Sequence, residues 1–107
     1  MSIPHAKPGD VIDVRPLGDK LGETKTYTLF KSDDIEVIRL ILPAGKIIPE
    51  HKAPGAITVQ CIEGEVDFTA CGKTETLTDG HMLFLTATEP HALEAKRNSS
   101  VLVTIGK

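Results

Sequence analysis

Two histidines carry the chemistry this chain could perform. His51 lies in Gly45-Lys-Ile-Ile-Pro-Glu-His51-Lys-Ala53-Pro-Gly-Ala-Ile57-Thr-Val59-Gln-Cys61-Ile-Glu-Gly64, and His91 in Gly80-His-Met-Leu-Phe-Leu-Thr86-Ala-Thr88-Glu-Pro90-His91-Ala-Leu-Glu-Ala95. Imidazole titrates near neutral pH, moves protons and binds transition metals through an unprotonated ring nitrogen. The remaining histidines offer less. His81 follows Gly80 in an Asp-Gly turn and His5 sits near the N-terminus, so both read as solvated. Cys61, inside an apolar run, reads as a small buried hydrophobe with no base beside it. Cys71 falls at a hairpin tip. The glycines are isolated turn residues and form no phosphate-cradling loop.

The elements that must position these groups are strands. Turn signals recur at Ser32–Asp34, Pro43–Gly45, Pro54-Gly55, Glu63-Gly64, Cys71–Lys73, Asp79-Gly80, Glu89-Pro90 and Arg97–Ser100. Between them the pattern predicts strands over Thr26–Phe30, Glu36–Leu42, Ile57–Ile62, Glu65–Ala70, Thr74–Leu77, Met82–Leu85, His91–Ala95 and Val101–Ile105. Ile57, Val59 and Cys61 share one face, and Val66 and Phe68 share another. Glu36–Leu42 and Val101–Ile105 are apolar on nearly both sides, which suits strands covered once by the core and once by a partner subunit. No window holds a helical apolar period, although a short helix near Pro16–Leu21 is open. The expected fold is all-β, an antiparallel sandwich or barrel. Residues 1–25, with Pro4, Pro8 and Pro16, read as an extended arm wrapped on a barrel spanning residues 26–107.

Composition narrows the function classes. One domain is expected from 107 residues. A net charge of −3 gives no basic footprint for DNA, RNA or an anionic membrane, and 4% aromatics give no base-stacking surface. No run is long and apolar enough for a membrane helix, and no secretory signal precedes the first strand. Two cysteines make no disulfide framework, so a reducing cytoplasm is expected.

The two histidine stretches resemble the paired signature motifs of the cupin family. The first motif has a glycine, two histidines one residue apart, a glutamate and a closing glycine. Gly45, His51 and Gly64 match it, while Ala53 and Ile57 stand where the second histidine and the glutamate belong. The second motif has a glycine, a Pro-x-Gly, a histidine and an asparagine. Gly80 and His91 match, while Thr86, Thr88 and Ala95 replace the others. The resemblance covers about half the chain closely. It implies a single cupin double-stranded β-helix, an antiparallel jelly-roll barrel, and a homodimer. It also implies that motif one forms one strand pair, that motif two forms a facing pair, and that the ligand positions point into the barrel mouth.

On that resemblance His51, Ala53, Ile57, Val59, Cys61 and His91 would line a ligand pocket. A catalytic metal normally needs three protein ligands and an open position, and two imidazoles remain. Cys61 lies roughly 13 Å along the strand from Ile57, and Glu50 should face away from His51. No cofactor follows with certainty; iron, manganese, nickel or zinc on His51, His91 and waters stays open. So do acid–base work without metal, contacts to a carboxylate or sugar hydroxyl, and two satisfied barrel-mouth side chains. The leading function is binding of a small organic molecule. The alternatives are a dioxygenase- or isomerase-type enzyme on a small acid or phenol, and a packed interaction barrel. Arg39, among aliphatic residues in mid-strand, could serve an interface salt bridge, a surface charge or a ligand contact.

Overall fold

The structure is a computed structural model, and it describes residues 4–107. Nine strands follow one short 3₁₀ helix, Gly18–Glu23, among the described residues. They are β1 (Tyr27–Lys31), β2 (Ile35–Leu42), β3 (Ile47–His51), β4 (Ile57–Glu63), β5 (Glu65–Ala70), β6 (Lys73–Thr78), β7 (Met82–Leu85), β8 (His91–Ala95) and β9 (Ser99–Gly106). A five-stranded sheet runs β1-β2-β9-β4-β7 and a four-stranded sheet runs β3-β8-β5-β6, with every pairing antiparallel. The all-β jelly-roll barrel is therefore the observed architecture.

The implied strand pairing needs one correction. β3 and β4 of the first motif lie in different sheets, as do β7 and β8 of the second. Each motif crosses from one sheet to the other, and the two motifs meet by pairing β3 with β8 and β4 with β7. Crossing strands leave short turns under steric pressure. At Gly64, φ is +111°, and an added Cβ would strike the Ser99 side chain and lie 2.7 Å from Asn98 O. Only glycine meets both demands there.

The main core lies between the sheets: Leu42, Ile57, Val59, Cys61, Val66, Phe68, Leu77, Leu85, Leu93, Ala95 and Val101. A second cluster lies outside the five-stranded sheet, where Leu29, Val37 and Leu102 meet Ile12, Val14, Tyr27, Phe30 and Ile62. Within the chain, residues 12–14 and β1 supply a second cover over Val37 and Leu102. Ala6 N–H donates to Leu29 O at 2.8 Å, which ties the N-terminal segment to β1.

Arg39 is not the surface charge that was one of its expected roles. It is 1% exposed and sits in an internal polar cluster. Its Nη2 donates to Arg15 O at 2.7 Å and Ser100 Oγ at 3.3 Å, and lies 3.7 Å from Glu63 Oε2. Glu63 in turn accepts from the N–H groups of Leu17 and Gly18 and from the Ser100 hydroxyl. Burial alone would raise the Glu63 carboxyl, but the Leu17 N–H, the Ser100 hydroxyl, the Gly18 N–H and the Arg39 charge outweigh it and hold it below the usual range.

Candidate functional site

The site begins with a bulge. β3 is an edge strand, so Pro49 can sit in it without breaking a central ladder. Ile48 pairs with Leu93 and His51 pairs with His91, so β3 uses one residue more than β8 over that span. Simple alternation would turn Ile48 and Glu50 to the same face. The extra residue turns Ile48 and His51 inward together and leaves Glu50 exposed. An irregularity at a proline therefore decides whether a carboxylate or an imidazole faces the interior.

Directly opposed residues on paired strands project to one face. The His51 and His91 rings meet edge-on, with centroids 4.2 Å apart and planes at 63°. On the next strand, Phe68 stacks on His91 at 5.6 Å and 12°. His91 is buried and His51 exposed, so the pair spans from interior to surface. His51 Nδ1 lies 3.0 Å from Pro49 O, and His91 Nδ1 lies 2.9 Å from Glu89 O. A carbonyl oxygen only accepts, so both Nδ1 atoms carry the proton. Nε2 is then the uncommitted nitrogen of each ring.

Behind the rings is a cavity of about 170 Å³. Its walls are Ile38 and Leu40 from β2, Ile48 and His51 from β3, and Ile57 and Val59 from β4. Phe68 from β5, His91 and Leu93 from β8, and Val103 and Ile105 from β9 complete them. The two imidazoles are the only polar side chains in that wall. Larger hollows of about 310 to 540 Å³ follow the N-terminal segment, but they are shallower and hold no such pair. Chemistry, rather than size, favours the smaller cavity.

Of the six pocket residues expected from sequence, His51, Ile57, Val59 and His91 line this cavity. Ala53 packs at the edge of the main core, and Cys61 is fully buried within it. Burial, with Asp79 adding to it, pushes the Cys61 thiol up to about 11, so it holds its proton at neutral pH. The motif spacing does not point to Phe68, although its inward phase beside Val66 is visible in β5. His81 and His5 are exposed and stand apart from the site. His81 Nδ1 accepts the Thr78 N–H and closes its own turn.

The cavity does not fit a resident catalytic metal held by three protein ligands. Two imidazoles converge, the rest of the wall is hydrocarbon, and no group of three His, Cys, Asp or Glu that could hold an ion occurs among the described residues.

Comparison with solved structures places this arrangement. A cupin superfamily protein from Desulfitobacterium hafniense superposes with a TM-score of 0.77 at 18% identity, covering 94% of this chain and 98% of that one. The fold is the cupin fold. A conserved protein of unknown function from Streptococcus pyogenes matches at TM-score 0.76 and 23% identity, covering 100% of this cupin-fold chain and 95% of its own. The G106A mutant of salicylate 1,2-dioxygenase from Pseudoaminobacter salicylatoxidans matches at TM-score 0.64 and 21% identity, covering 67% of this chain and 21% of the enzyme. No protein-family model matches the sequence, and no curated protein does. No helix among the described residues is long and apolar enough to cross a membrane.

Proposed function

We propose that this cupin-fold chain binds a small, largely apolar organic molecule between its two sheets, with His51 and His91 as its polar contacts. The observation that carries this reading is a hydrocarbon-walled cavity with two converging imidazoles at one side. Ligand sites are typically concave and apolar, with a few polar groups that fix orientation. At about 170 Å³ the space suits one ring; dry apolar cavities of about 150 Å³ accept benzene.

Thermal-shift and calorimetric screening of one-ring compounds tests the proposal, with Val103→Phe as the blocked control. Saturation at about a hundred times Kd should stabilise the wild type by about 2.7 kcal/mol and leave the blocked variant unmoved. Compounds that stabilise both proteins equally would place binding elsewhere.

A second reading rests on the two free Nε2 atoms, the state in which histidine ligates metals. Here iron, manganese, nickel or zinc would be held by His51, His91 and water, in an enzyme of dioxygenase or isomerase type. Retention of about one metal per chain after dialysis, lost in His51→Ala and His91→Ala, would favour it. We also propose a homodimer and a cytoplasmic location. Exposed Met82 and Phe84 on the outer face of edge strand β7 support the first, and two free cysteines support the second.

A further inference from the structure

The cavity wall has acceptors but no neutral donor, and that asymmetry selects among ligands. Both Nδ1–H groups are spent on the carbonyls of Pro49 and Glu89. Among the described residues, neither ring makes another hydrogen bond, so each neutral ring offers an Nε2 lone pair. The remaining wall side chains are Ile, Leu, Val and Phe, which supply neither N–H nor O–H. All the wall strands but edge strand β3 are interior to their sheets, where backbone amides serve the ladders. A carboxylate placed here would lose water and gain no donor, at a high desolvation cost. A pure hydrocarbon would fit but would offer nothing to the two Nε2 lone pairs.

We infer that the occupant is a neutral one-ring compound that donates a hydrogen bond, of the phenol class, with its O–H directed to Nε2 of His91 or His51. This inference rests on the pocket reading above and adds the polarity of the ligand's functional end. Ring size follows from the cavity, and donor character follows from the two fixed tautomers. Phe68, stacked on His91, keeps that ring from turning.

Phenol and toluene match in shape and differ in the O–H, so comparing them isolates the inference. Calorimetry at about pH 8, above the ordinary imidazole range, should show phenol binding at least tenfold tighter than toluene, with benzoate undetected. In His51→Leu and His91→Leu the preference for phenol should fall several-fold while toluene still binds. Toluene binding as tightly as phenol would overturn the donor assignment and leave the pocket reading intact. Benzoate binding more tightly than phenol would overturn it differently, by making the rings cationic donors. Failure of all three to bind would overturn the inference and the pocket reading together.

Discussion

Two polar clusters in this molecule are built on opposite plans. Outside the five-stranded sheet, Arg39, Glu63 and Ser100 share hydrogen bonds with one another and with the backbone of residues 15–18. Between the sheets, His51 and His91 satisfy one nitrogen each locally and leave the other free. A densely bonded network fixes structure, because most groups in it already have partners. Among the described residues, Arg39 Nε is the buried side-chain nitrogen left without a partner. An unsaturated pair in an apolar wall is suited to a visitor. The contrast separates what holds this barrel together from what it could bind.

The outer cluster should break first. Glu63→Ala leaves Arg39 buried and uncompensated and frees the N–H groups of Leu17 and Gly18. Breaking a buried pair costs about 3–5 kcal/mol, so calorimetry should show a fall in Tm of more than 10 °C, at roughly 4 °C per kcal/mol. Limited proteolysis should cut near residues 15–20. An unchanged Tm would mean the cluster is ornamental.

Gly64→Ala comes next, at about 2–3 kcal/mol, because its φ is left-handed and its Cβ would meet Ser99 and Asn98. Urea unfolding should show the loss as a lower midpoint with unchanged slope.

Acid should act on the outer cluster through Glu63, whose carboxyl is held below its ordinary value. A group depressed by folding stabilises above its unfolded pKa of about 4.3 and loses that contribution as pH falls through its folded value. Stability should therefore decline below about pH 4, and Glu63→Gln should show a shallower decline in a Tm-versus-pH series.

Thr88→Gly should move the other way. Thr88 has φ +64° where the family motif carries glycine, and a β-branched side chain is strained there. Relief should add about 1 kcal/mol, read as a higher urea midpoint.

The smallest stability effect should come from His51→Ala. His51 is exposed and its one bond is local, so the change should stay within about 0.5 kcal/mol. Ligand binding should nevertheless weaken several-fold. A large loss of stability with binding intact would reverse the division of labour between the clusters.

Much of the fold was legible in residue alternation. Ile57, Val59 and Cys61 face inward together as their spacing says, and Val66 and Phe68 follow the same rule. β2 obeys alternation but not the simple burial that goes with it. Val37 and Arg39 are the more buried face, because residues 12–14 and β1 cover Val37 and Arg15, Glu63 and Ser100 enclose Arg39, while Ile38 and Leu40 open onto the cavity. A cover contributed from so far along the chain leaves no trace in the local pattern. β3 is hidden because Pro49 reads as a strand breaker, yet its edge position tolerates the proline. The bulge that turns His51 inward is a property of the β3–β8 pairing and cannot be read from either strand alone. The motifs suggested that His51 and His91 share the barrel mouth, but not that β3 and β8 pair them directly. The third ring, Phe68, needed the neighbour order β3-β8-β5.

The most direct measurement is methyl NMR of Ile, Leu and Val side chains during titration with a mixture of one-ring compounds. The expected result is a set of shifts confined to Ile38, Leu40, Ile48, Ile57, Val59, Leu93, Val103 and Ile105, saturating together. Shifts centred on Val11, Ile12 and Val14 along the N-terminal segment, or no saturable shifts at all, would contradict the account.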